Sequence, residues 1–171
     1  FTFVVPPILI ALVRSPLADK FDLSTIKSFA SGAAYLSKEL CQMVNKRYGI
    51  SITDGYGMTE TSPIVSLQTQ NDLSLNKLNV GRLVSNTEAQ IIDMNTNKLL
   101  GPNEIGEIWI RGPQVMLGYL KNDEANAKTF IPHANDKDRF LRSGDIASID
   151  ENGYITPVSY THLTLPTSDL V

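Results

Sequence analysis

Residues 51–65 read Ser-Ile-Thr-Asp-Gly-Tyr-Gly-Met-Thr-Glu-Thr-Ser-Pro-Ile-Val, and the rest of the 171-residue chain can be placed around them. Gly55 and Gly57 bracket Tyr56, so the backbone can turn closely and approach a ligand with no Cβ in the way. The ring is left to offer a flat face. Thr59 supplies a hydroxyl and Glu60 a carboxylate, the neighbouring groups that a phosphate oxygen and its magnesium need. Asp54 adds an acceptor for an exocyclic amine. On its own the segment fits two descriptions: half of a nucleotide site, or a tight turn between a strand and a loop.

Upstream, the pattern is that of an α/β unit. Pro6 and Pro7 suit a first helical turn, and Ile8, Leu9, Leu12 and Val13 share one face, which predicts a short buried helix over Pro6–Arg14. Leu23–Ala30 reads as a strand entering Ser31-Gly32-Ala33-Ala34, four small residues that leave room for something flat. From Ser37, a fair N-cap, Leu40, Met43, Val44 and Arg47 keep helical spacing, and Gly49 stands where a left-handed glycine ends a helix. Ile50–Thr53 is the next strand. Small-residue loop, helix, strand and glycine turn thus form a βαβ-like unit, with both candidate ligand edges after strand ends.

Beyond Pro63 the style changes to β meander. Ile64–Leu67, Glu88–Asp93, Glu104–Arg111 and Gln114–Tyr119 are short alternating or apolar runs between Asn, Gly and Pro turns. Asn95–Asn97 reads as a hairpin tip and Gly101–Asn103 as a turn. Asn122 can cap a short helix over Asp123–Lys128, and His133–Asp138 is a polar loop. Ser143-Gly144-Asp145 puts a carboxylate after a glycine at an expected strand entrance, either to hold ribose hydroxyls or to cap a turn. Asp150–Gly153 is a hairpin signal.

Bulk composition narrows the classes. Hydrophobic content of 42%, charged content of 19% and a net charge of -3 are those of a soluble globular chain, with no electrostatic case for nucleic acid or an anionic membrane. No apolar run approaches the roughly 20 residues of a membrane span, and no secretory leader is expected. The single cysteine, Cys41, excludes an internal disulfide and fits a reducing compartment.

Taken together, Ser31–Ala34, Gly55–Glu60, Gly106–Gly112, Gly118-Tyr119 and Arg142–Asp145 resemble, in order and interval, the adenylate-forming superfamily. The chain is most similar to the branch of 4-coumarate:CoA ligases, acyl-CoA synthetases and luciferases, and the resemblance runs from Val5 to about Ile155. It implies a piece of the large N-terminal domain: an α/β part over residues 1–66, a β-rich distorted-barrel part over 67–155, and a tail over 156–171 without family likeness. It implies ATP, magnesium and coenzyme A as ligands, a small carboxylic acid as substrate, and a cytoplasmic or peroxisomal location. Ala33, Ala34, Asp54, Gly55, Tyr56, Gly57, Thr59 and Asp145 would meet the nucleotide: Tyr56 stacking the adenine, Thr59 at the α-phosphate, Asp145 on the ribose. Thr59 and Glu60 would be catalytic, with Glu60 on magnesium. Ala33, Gly57, Pro63 and Ile64 would line the acyl pocket. Glu107, Trp109 and Arg111 are expected in a structural strand, without catalytic roles.

Departures from the pattern qualify the activity. Tyr35 stands where the family usually has Pro, and Ser143 where Thr is usual. The family's phosphate loop with its lysine and its active-site histidine would lie upstream of Phe1, and Ser159-Tyr160 replace the hinge Asp-Arg. His133 and His162 read as surface residues. The implied reading is an inactive piece of an acid:CoA ligase; the alternatives are a luciferase-like or carrier-protein-loading enzyme, or a non-catalytic nucleotide-binding module. The tail is expected to be foreign or disordered. A genomic read is expected to give Asp-Arg in place of Ser159-Tyr160; an intact gene reproducing Ser-Tyr would contradict that.

Overall fold

The computed structural model describes residues 2–32, 36–75, 79–131 and 139–159. Strand β1 (Thr2–Val4) leads into helix α1 (Pro6–Arg14), which starts on its two prolines as their fixed φ favours. Only Pro6 and Leu9 of α1 are buried, and Ile8 is 49% exposed rather than part of the buried face. The next strand, β2 (Ser28–Ser31), is shorter than expected. Residues 23–26 form a turn closed by the Ile26 N–H on Leu23 O.

Helix α2 (Lys38–Tyr48) has the expected ends. The Ser37 hydroxyl accepts from Leu40 N at 3.2 Å, and Gly49, at φ 68°, donates its N–H to Asn45 O at 2.7 Å. Leu40 and Val44 face inward while Met43 is exposed. With Leu9, Phe29, Ile50 and Ile52 they form the first core, beneath both helices.

Strand β3 (Ser51–Gly57) differs most from its sequence reading, because Gly55-Tyr56-Gly57 continues the strand instead of turning. Its first half pairs parallel with β2, Ser28↔Ser51 to Ser31↔Asp54. Its second half pairs antiparallel with β4 (Ile64–Leu67), Gly55↔Leu67 to Gly57↔Ile64. The glycines serve close approach rather than bending: a Cβ on Gly57 would lie 1.8 Å from Pro63 O, and one on Gly55 3.0 Å from Ser66 O. With β5 (Arg82–Leu83) on β4, the first sheet runs β1-β2-β3-β4-β5.

The second sheet collects β6 (Glu88–Ile92), β7 (Gly106–Arg111), β9 (Phe140–Ile149) and β10 (Ile155–Ser159) in the order β10-β9-β7-β6. Helix α3 (Asp123–Thr129), capped by the Asn122 side chain, runs into β8 (Phe130–Ile131), which pairs with β9. Asp93 closes the Asn95–Asn97 tip by accepting from Asn95 N and Thr96 N. Asp150 does the same at the β9–β10 hairpin, for Asn152 N and Tyr154 N.

Three expectations are corrected here. Gln114–Tyr119 is a series of turns rather than a strand, and Asp145 lies within β9 rather than at its entrance. Residues 156–159, expected in the tail, extend β10 against β9. The His133–Asp138 loop and residues 160–171 lie outside the described residues. Tyr56, Val65, Val80, Ile91, Ile108, Ile110, Ala147 and Ile155 form the second core, so the two cores change over inside β3, upstream of the 66/67 division read from the sequence. Among the described residues, no helix is long and apolar enough to cross a membrane.

The two glycine requirements differ in kind, which predicts different costs. Gly49→Ala meets nothing within 4 Å and carries only its left-handed conformation, about 1–2 kcal/mol. Gly57→Ala must displace a backbone carbonyl and is expected to cost about 3 kcal/mol or more. Urea midpoints of the two variants check the order.

Candidate active site

Alternation along β3 puts Gly55 and Gly57 on one face and Ile52, Asp54 and Tyr56 on the other. The glycine face opens on a largely apolar cavity of about 490 Å³, lined among others by Phe3, Gly32, Gly55, Gly57, Pro63 and Ile64. The missing Cβ atoms let this space reach the backbone. Three of the four residues expected in the acyl pocket, Gly57, Pro63 and Ile64, are therefore together. The fourth, Ala33, lies outside the described residues, as does Ala34.

On the other face, the Tyr56 hydroxyl donates to Asp145 Oδ2 at 2.8 Å. This bond joins residues 89 positions apart and brings the expected adenine and ribose groups together. Tyr56 is only 5% exposed and packs into the second core, so the freely offered ring of the sequence reading is corrected: the residue borders the cavity, but most of it is enclosed. Asp145 is 4% exposed, and its N–H is held by Ser143 Oγ at 3.0 Å.

Asp54 ends the parallel half of β3. Its backbone is bracketed by Gln68, which accepts from Asp54 N at 2.9 Å through Oε1 and donates its own N–H to Asp54 O at 2.8 Å. Burial pushes the Asp54 carboxyl up to about 7, against the opposing hydrogen bond from Gly55 N. The nearby Cys41 of α2 is pushed up to about 11, first by its own burial and then by the Asp54 charge.

Thr59 and Glu60 begin a single 3-10 turn, Thr59–Thr61, held by Thr61: its buried hydroxyl accepts from Met58 N and shares its proton between Met58 O and Pro63 O. Thr59 is exposed. Glu60 is clamped by the 112–121 segment, its carbonyl by Met116 N at 2.8 Å and its Oε1 by the Tyr119 hydroxyl at 2.7 Å. Burial, reinforced by the bond to Glu60, pushes the Tyr119 hydroxyl up to about 12. Tyr119 is itself locked by Asn126, which accepts from Tyr119 N at 2.7 Å and donates to Tyr119 O at 3.0 Å.

Sequence reasoning had no role for Tyr119, Thr61 or Gln68, whose partners are 59, 2 or 3, and 14 residues away. Glu107 it placed in a structural strand. A visible signal existed only for the last: a carboxylate inside the apolar run Gly-Glu-Ile-Trp-Ile has to find donors once β7 is buried.

The candidate site is thus a strand switching from parallel to antiparallel partners, with an apolar cavity on one face and a tyrosine–carboxylate pair on the other. The AMP-binding enzyme family matches residues 1–120, and the chain belongs to that family. Within it the chain is similar to 4-coumarate–CoA ligases and luciferases. It is 43% identical to a probable 4-coumarate–CoA ligase of Dictyostelium discoideum over 90% of this chain and 27% of the relative. It is 41% identical to the luciferin 4-monooxygenase of Photinus pyralis, over 87% of this chain and 26% of the relative. A long-chain-fatty-acid–CoA ligase from Archaeoglobus fulgidus superposes with a TM-score of 0.81 at 28% identity, over 94% of this chain and 34% of that one. The chain thus spans about a quarter of the length of the curated relatives it matches.

The Asp54 environment predicts a pH dependence. Its folded-state value lies above the ordinary 3.8, so the folded protein holds this proton more tightly than the unfolded chain. The associated stability is fully present below 3.8 and is lost as pH rises to about 7. Asp54→Asn is expected to flatten the decline in urea midpoint between pH 5 and pH 8; an unchanged decline would assign it to other groups.

Proposed function

We propose that the chain is the later part of the large domain of an ATP-dependent carboxylic acid:CoA ligase. The observation that supports this reading is the Tyr56–Asp145 bond across β3 from the Gly57, Pro63 and Ile64 cavity, which fits adjoining places for nucleotide and acid. In the proposed first half-reaction an oxygen of the substrate carboxylate attacks the α-phosphorus of ATP, the bond to pyrophosphate breaks, and an acyl-adenylate forms. In the second, the coenzyme A thiol releases its proton to solvent, its sulfur attacks the acyl carbon, and AMP leaves with the electron pair of the broken C–O bond.

Each residue has a proposed part. Asp54 and Gly55 border the base together with Tyr56, Ala33 and Ala34, and Asp145 accepts from the ribose hydroxyls. The Thr59 hydroxyl donates to the α-phosphate, where a fixed donor counts most as charge builds in the transition state. Glu60 would hold magnesium: one or two carboxylates plus substrate phosphates is this ion's usual ligand set, and the Tyr119 hydroxyl on Oε1 would orient the carboxylate. Bound there, magnesium would offset negative charge on the phosphates. The lining of the cavity favours an aromatic or medium-chain acid over a charged one. A luciferase-like enzyme is the second reading, favoured by the similarity to the Photinus protein; a thiol-acceptor assay separates the two.

Pyrophosphate exchange tests the proposal. The complete polypeptide is expected to exchange label only with acid present, and the isolated 171 residues are expected not to exchange at all. Glu60→Gln should abolish most of the exchange. Tyr119→Phe should raise the magnesium requirement roughly 10- to 100-fold, as loss of an outer-shell partner does. Exchange that is indifferent to acid, or unaffected by Glu60→Gln, would refute the assignment.

A further inference from the structure

We infer that Glu107 is a positioning residue for the nucleotide: it acts through Asp145, by holding the irregular turn of β9 that aims the Asp145 carboxylate. This rests on the ribose role proposed for Asp145. The β7–β9 register shows the need for it. Glu107 pairs with Ile146 and Trp109 with Arg142, so β9 spends Ser143, Gly144 and Asp145 where β7 spends Ile108 alone. Extra residues of this kind disrupt the ladder and re-aim side chains, and they persist only if the displaced backbone groups are received elsewhere.

Among the described residues, the side chains of Ser143 and Glu107 receive such groups. Ser143 Oγ donates to Ile108 O at 2.6 Å and accepts from Asp145 N at 3.0 Å. Glu107 Oε1 accepts from Gly144 N at 3.0 Å, fixing a residue at φ 75°, the left-handed conformation that a glycine tolerates. The carboxylate is in turn pinned at Oε2 by Trp109 Nε1 at 2.9 Å and by Arg142 Nη2 at 3.4 Å. Glu107 is 7% exposed, so its orientation is set by these donors rather than by water. The outcome is that Asp145 Oδ2 meets the Tyr56 hydroxyl. The effect of Glu107 on Asp145 passes through the Gly144 N–H.

Titration of ATP and of 2′,3′-dideoxy-ATP into the complete ligase proposed above, by isothermal calorimetry, tests this. Asp145→Asn should weaken ATP roughly 10-fold or more, as loss of a charge-assisted hydrogen bond does, and leave the dideoxy analogue unchanged. Glu107→Leu is expected to show the same asymmetry, with the KM for the acid unaltered. Glu107→Gln, which keeps an oxygen for the Gly144 N–H, should recover most of the ATP affinity. Trp109→Phe, which removes one pin but leaves the Gly144 bond, should lower stability and not the ATP preference. If Glu107→Leu does not fold, Glu107→Asp replaces it, since one methylene fewer draws the carboxylate away from Gly144.

The outcomes separate. If Asp145→Asn leaves ATP binding intact, the ribose reading fails and this inference with it. If Asp145→Asn weakens ATP while the Glu107 variants do not, or if they weaken ATP and the dideoxy analogue equally, the inference alone is overturned.

Discussion

The bond from the Tyr56 hydroxyl to Asp145 ties the two halves of this protein into one site. Tyr56 belongs to β3 of the first sheet and Asp145 to β9 of the second, and both are almost wholly enclosed. A hydroxyl and a carboxylate buried at that junction have to satisfy each other, because an unpaired polar group there would carry its full desolvation cost.

The switch point of β3 is the other constraint. One strand serves a parallel neighbour up to Asp54 and an antiparallel neighbour from Gly55 onward, and the change of partner coincides with the change of core from Ile52 to Tyr56. Glycine at 57 lets the Pro63 turn approach at a distance no side chain permits, and at 55 a Cβ would crowd Ser66 O of β4 at 3.0 Å. The same absence of Cβ atoms opens the cavity on that face, so packing and binding make one demand of these positions. The half-buried Asp54 carboxyl, driven up to about 7, and the Glu60–Tyr119 clamp sit just before and just after this stretch.

Local features were legible where their cause was local. The Ser37 and Gly49 ends of α2, the Asn122 cap, the Asp93 and Asp150 turns and the existence of β4, β6 and β7 follow from side chains acting within four residues of themselves. Misreadings occur where a distant contact overrides the local cue. Gly55-Tyr56-Gly57 carries the composition of a turn, but antiparallel pairing with β4 holds it extended. Gln114–Tyr119 has strand-like alternation, but its N–H groups and side chains are engaged by Glu60, Thr87 and Asn126 instead of by a neighbouring strand.

From its sequence alone this protein determined the α/β-then-β order of its elements, its family, and the identity of the chemically able groups, because residue types and their spacing are properties of the chain. The tertiary structure decided how those groups face one another: that Tyr56 is enclosed, that its hydroxyl meets Asp145, that Tyr119 holds Glu60, and that Glu107 receives the stray N–H of Gly144. These contacts span 37 to 89 residues, and a hydrogen bond of that reach depends on where two sheets come to rest, which no local preference encodes.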